Sequence, residues 1–181
     1  MIRENRAARR RSAADGGLLK MMKCFRAAVA SLALLSAAMP AAAHAQAWQC
    51  APFARLESGI ELFGAAYKWW AQAVGRYAQG TAPKLGSVLV FKAVGAMRSG
   101  HVAVVSKIVS DRIIKVTHAN WSIINGRRGQ VERDVTVVDA SASGDWSKVK
   151  VWYAPLKDVG IKAYPVYGFI YKDGQGDRAA G

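Results

Sequence analysis

The chain has 181 residues, 52% of them apolar, and a net charge of +14 from 26 Lys and Arg against 12 Asp and Glu. That length suits one globular domain with a proper core and is too short for two. No basic-aromatic nucleic-acid motif accompanies the charge, so nucleic acid is set aside as a partner and the anionic polymers of a cell envelope are favoured.

The first 45 residues read as a signal peptide with a basic N-terminal extension. Arg9, Arg10, Arg11, Lys20, Lys23 and Arg26 form a basic run, followed by the apolar stretch from Ala27 to Met39, then Pro40 and small residues. This 13-residue run falls short of the roughly 20 that a spanning helix needs. A-x-A patterns at Ala43 to Ala45 and Ala45 to Ala47 suit cleavage. The expected location is therefore periplasmic or secreted, with no stable membrane anchor; a start at Met21 or Met22 and an uncleaved tail lying on an anionic membrane are alternatives. Loss of residues 1–45 removes eight Lys or Arg and two Asp or Glu and leaves +8.

Cys24 leaves with the signal, so Cys50 becomes the single cysteine and has no intramolecular partner. In an oxidising compartment a leftover cysteine points to an intermolecular bond or a reactive thiol. Lipidation fits poorly, because Trp48 and Gln49 stand where a lipoprotein signal needs small residues. From Cys50, Phe53, Leu56 and Ile60 recur at helical spacing, with Pro52 in the first turn. The thiol then sits at a helix N-terminus, where main-chain N–H groups and the macrodipole favour a thiolate. Past Gly59 and Gly64 the helix is expected to resume, with Tyr67, Trp70, Val74 and Tyr77 along one face.

After "GTAPKLG" the character changes. "SVLVF", "HVAVVSKIV", "RIIKVTHANW", "QVERDVTVV" and "KVKVWYAP" are short, rich in β-branched residues and separated by turn formers. Helices first and strands afterwards give an α+β class, with N-terminal helices packed on an antiparallel β-sheet. "VSDR" is a hairpin turn that aligns a strand bearing His101 with one bearing His118 and Asn120. These last two, two residues apart, are expected on one face, with Thr117, Ala119 and Trp121 on the other. "NGRRG" at 125–129 is a polar loop, and 172–181 a disordered tail.

Cysteine chemistry needs a thiolate, a base and a group that holds the base in the right tautomer. A free thiol is only about 3% ionised at pH 7. Cys50 is the sole candidate nucleophile, and His101, opening an apolar strand beside Gly100, is the candidate base. A histidine that merely caps its strand and a solvated polar face at His118 and Asn120 are the bland alternatives. No metal-ligand cluster is visible.

"QCAPFAR" at a helix start, "KLGSVLVF", "SGHVAVVSKI" and "VTHANW", in that order, resemble a CHAP domain, the cysteine, histidine-dependent amidohydrolase/peptidase family, over roughly residues 48–122. The resemblance implies a papain-like fold and a catalytic domain over 46–171. It also implies Cys50 as nucleophile, His101 as base, and no cofactor. The family more often has an acid where His118 stands, and an Asp where Ser87 stands, so the orienting role falls to His118 or to the Asn120 carbonyl. The Cys50 N–H, with Gln49, would stabilise an oxyanion. The implied function is an exported cysteine amidase or endopeptidase acting on peptidoglycan or other peptides. The alternatives are a silent cell-wall-binding module and an amidase of small thiol-polyamine conjugates, which export disfavours.

Overall fold

The computed structural model describes residues 46–172; the expected signal peptide at 1–45 and residues 173–181 of the expected tail lie outside them. The domain begins with α1 (Cys50–Ser58), followed by a 3-10 turn (Ala66–Lys68) and α2 (Trp69–Ala73). Eight strands follow: β1 (Ala78–Gly80), β2 (Val88–Phe91), β3 (His101–Ser110), β4 (Ile113–Ala119), β5 (Val131–Asp139), β6 (Lys148–Tyr153), β7 (Asp158–Val159) and β8 (Tyr164–Tyr171).

Strands β2 to β6 pair antiparallel in chain order, and β8 pairs with both β2 and β6. That last contact closes a six-stranded barrel. The expected α+β, papain-like layering of N-terminal helices on a sheet is therefore overturned: the domain is mostly β, with two short α-helices among the described residues. The physical reason lies in where apolar residues fall. Alternate residues Leu89, Phe91, Ala103, Val105, Ile114, Val116, Val135, Val137, Val149 and Val151 form one buried cluster with Val166 and Phe169 of β8. This apolar face runs through all six strands, so closure buries it without help from a helical layer. Only Val88, Val90, Val102, Val104 and Ile170 add a second buried cluster, and Ala51, Ala54, Ile60, Leu62 and Trp69 pack there. "SVLVF" reads as an unbroken apolar run because β2 is buried throughout.

The helical segment is shorter than its periodicity predicts. Gly59 ends α1 in a left-handed conformation (φ 68°), its N–H donating to the Arg55 carbonyl at 2.9 Å. The resumed helix covers only Trp69–Ala73; Val74 is exposed, and Tyr77 instead donates its main-chain N–H to the Ala73 carbonyl. The expected hairpin joins β3 to β4 through Asp111 and Arg112, with Ser110 opposite Ile113.

Gly100 sets the start of β3. Its φ is +66°, and a Cβ there would lie 2.7 Å from the Phe91 carbonyl oxygen and 2.9 Å from the Tyr67 nitrogen. A side chain is therefore excluded both by conformation and by two pieces of main chain that hold the entry to His101. Gly100→Ala is expected to lower stability by about 1–3 kcal/mol, read as a lower urea midpoint at unchanged m-value. A midpoint equal to wild type would refute this packing argument.

Candidate active site

Cys50 opens α1 after Gln49, an extended N-cap residue (φ −92°, ψ 152°) whose side chain makes no cap bond. Packing of Ala51 and Ala54 among the apolar residues of β2 and β3 brings the start of α1 against β3. Main-chain groups of Val102, the residue after His101, and of Ala51 and Cys50 itself act on the thiol and pull its pKa down. The helix start and the strand start thus meet at the sulfur.

His101 takes the same inward parity as Ala103 and Val105 and is buried at 4% exposure. His118, on β4, follows Ile114 and Val116 inward and is buried at 1%. Their rings meet edge to face, with His101 Nε2 and His118 Nδ1 3.0 Å apart. Trp121 tilts over His101 at 4.9 Å and stacks on His118 at 5.7 Å; Phe91 meets His101 edge-on at 5.4 Å. The imidazole pair is thus walled by aromatic carbon.

The expected sharing of one face by His118 and Asn120 does not occur. Asn120 is left-handed (φ 65°), which ends the alternation at Ala119 and turns Trp121, not Asn120, toward the histidines. The Asn120 side chain instead donates from Nδ2 to Gln49 Oε1 at 2.8 Å. The site thus has two polar contacts, His101 with His118 on one side and Asn120 with Gln49 on the other. Ser87, where the family usually has Asp, hydrogen-bonds within its own turn: its Oγ donates to the Lys84 carbonyl at 2.6 Å.

Arg128 and Tyr164 went unnoticed in the sequence. Arg128, in the polar loop that the sequence predicts, donates from Nη1 to the Trp121 carbonyl, and its charge acts on His101 and Tyr164. Tyr164 packs edge-on against Trp121 at 5.1 Å. A signal was available in the two adjacent arginines between Gly126 and Gly129, but charge in a loop does not say where the loop folds.

The electrostatics run opposite to the thiolate expectation. Burial pushes the Cys50 thiol above its ordinary value, outweighing the main-chain hydrogen bonds of Val102, Ala51 and Cys50 that pull it down. Burial pushes His101 well below the ordinary histidine range, with His118 and the Arg128 charge acting in the same direction. His118 falls to about 3, again through burial. Each charged form is penalised by the same low-dielectric wall. At neutral pH these directions favour a thiol and a neutral imidazole. Among the described residues no group of three or more His, Cys, Asp or Glu could hold a metal ion.

A thiol at a helix start, next to a strand whose first residue is a buried imidazole, has the chemistry of a nucleophile beside a base. Residues 41–120 match the family model of the CHAP domain, a stretch that contains Cys50, His101, His118 and Asn120. The match agrees with the resemblance carried by the four motifs, to a family generally made up of hydrolases. Among curated proteins none matches the chain.

A raised thiol pKa has a direct consequence for alkylation. At pH 7 the thiolate fraction of Cys50 lies below that of a free cysteine, so iodoacetamide is expected to react more slowly than with a model thiol. The rate should climb with pH, through a midpoint above the ordinary cysteine value. A plateau reached below pH 7 would instead demonstrate a thiolate–imidazolium pair and overturn this charge assignment.

Proposed function

We propose that the protein is an exported cysteine amidase or endopeptidase that hydrolyses amide bonds in peptidoglycan peptides through an acyl-enzyme. Cys50 is the nucleophile, His101 the base and His118 its orienting partner. The observation that carries this reading is the 3.0 Å contact between His101 Nε2 and His118 Nδ1, beside Val102, whose main chain pulls the Cys50 pKa down.

The steps follow from the ring chemistry. Donation of the His101 Nε2–H to His118 Nδ1 leaves His101 Nδ1 with a lone pair. That nitrogen takes the Cys50 proton as sulfur bonds to the substrate carbonyl carbon. The developing oxyanion accepts from the Cys50 N–H and from the Gln49 amide, whose oxygen is already engaged by Asn120, so its Nε2 is the donor end. His101 then protonates the leaving amine and the C–N bond breaks. In the second half, His101 takes a proton from water, the hydroxyl attacks the thioester, and sulfur leaves with the proton returned. Asn120 thereby serves the oxyanion side through Gln49, not the base.

A peptidoglycan-type substrate is what the CHAP family suggests. Export is supported by the basic, apolar and small-residue order of residues 1–45 and by the +8 that remains without them, a charge suited to an anionic envelope. No helix of the described residues is long and apolar enough to cross a membrane. One observation favours a second reading, a catalytically silent cell-wall-binding module: burial disfavours ionisation of both thiol and imidazole.

Release of soluble muropeptides from purified sacculi separates the two. Cys50→Ala should abolish release, and His118→Ala should lower kcat by about 100-fold or more, because the base loses its tautomer control. Asn120→Ala should cost less, about tenfold, through a loosened oxyanion donor. Release that survives Cys50→Ala unchanged would remove the thiol from the mechanism, and binding of wild type to sacculi without any release would favour the silent module.

A further inference from the structure

Between Val116 and His118 the single β4 residue Thr117 is matched by two on β5, Arg133 and Asp134, since Val116 faces Val135 and His118 faces Glu132. The surplus residue lies in the Arg133–Asp134 step, where Asp134 is left-handed (φ 52°). This is a β-bulge, and its effect is to re-aim side chains. Val135, Val137 and Asp139 are the inward, buried residues of the upper part of β5. Counting back in twos would bring Arg133 and Val131 inward and send Glu132 out. The bulge reverses this: Glu132 is buried at 8% exposure and Arg133 is exposed.

Glu132 therefore stands directly across from His118, and such opposed residues have Cβ atoms about 4.5–5.5 Å apart. Its Oε1 accepts the Ser122 main-chain N–H at 2.7 Å. Its Oε2 is buried with no hydrogen-bond partner among the described residues, and so is His118 Nε2. The two atoms are complementary. A carboxylate oxygen can only accept, and His118 Nε2 must carry the proton if Nδ1 is to accept from His101. Leaving either buried and unpaired is unfavourable, so a side-chain rotation that joins them is favoured.

We propose that Glu132 is a positioning residue: its Oε2 accepts the Nε2–H of His118, which fixes the tautomer whose Nδ1 accepts from His101 and keeps His101 Nδ1 unprotonated. The site is then a series, Glu132 to His118 to His101 to Cys50. An acid missing at residue 118 is supplied from the neighbouring strand, one residue further from the sulfur. No bond to Glu132 is made or broken in the cycle. This inference rests on the hydrolase reading for its catalytic consequence, but the hydrogen bond itself does not.

The test is the histidine tautomer, read by long-range 1H–15N correlation on the full chain labelled with 15N-histidine. Wild type should show His118 protonated at Nε2. In Glu132→Gln only one acceptor oxygen serves two N–H groups, Ser122 and His118, so the amide NH2 is left facing His118 and the ring should shift toward the Nδ1–H form. With that shift kcat should fall about 10–100-fold with KM within twofold. Wild-type His118 protonated at Nδ1, or an unchanged tautomer together with an unchanged kcat in Glu132→Gln, would overturn the proposal. Should the variant fail to fold, the wild-type spectrum still decides. Should the wild type prove inactive on sacculi while the tautomer shifts as expected, the positioning contact stands and the hydrolase reading falls.

Discussion

A hydrogen bond between two neutral imidazoles has only two proton arrangements, and at this site they have opposite consequences. If His101 Nε2 donates, His101 Nδ1 is bare and basic. If His118 Nδ1 donates instead, His101 must carry its proton on Nδ1 and has nothing left with which to accept one from a thiol. The 3.0 Å contact fixes the geometry but leaves that choice to whatever surrounds His118 Nε2. The barrel closure, the bulge in β5 and the aromatic wall of Phe91, Trp121 and Tyr164 can all be understood as setting the surroundings of this one proton.

The site sits at a place where the sheet departs from regularity, and the departures are local. Gly100 enters β3 with positive φ, Asn120 leaves β4 with positive φ, and Asp134 interrupts β5 with positive φ. Each changes which way the neighbouring side chains face. Without the turn at Asn120, Trp121 would leave the histidines; without the bulge at Asp134, Glu132 would leave the barrel. A regular period-two ladder could bring His101 and His118 together but not surround them.

These same departures mark the limit of what could be read from the residues. The helix start at Cys50, the five strand segments and the hairpin through Asp111 and Arg112 were legible because each is local: period, β-branched content and turn formers lie within a few residues. So was the likeness to a CHAP domain, whose motifs are short and ordered. Closure was not legible. It depends on β8, where Pro165 and Gly168 dilute the strand signal, meeting β6 through two residue pairs. The helices come first along the chain, but their order there does not say whether they cover a sheet. The placing of Asn120 failed for a related reason: alternation was carried one residue past the point where the backbone turned left-handed. In "QVERDVTVV" the run Glu132, Arg133, Asp134 breaks the alternation visibly, and a bulge is one physical reason for such a break.

Replacing an acid with an imidazole next to the base alters more than geometry. A carboxylate there would stabilise an imidazolium at rest and draw the proton off the thiol before substrate arrives. A neutral ring orients without that stabilisation, which agrees with the lowered His101 and the raised Cys50. On the proposed hydrolase reading, the sulfur stays a thiol, poorly reactive toward solution electrophiles, until a carbonyl held against the oxyanion donors makes proton transfer favourable. In an oxidising compartment such a thiol also resists oxidation, since the thiolate is the form that oxidises. On the proposal for Glu132, its carboxyl, on a neighbouring strand, would set the tautomer of His118 without ionising the His101–Cys50 pair.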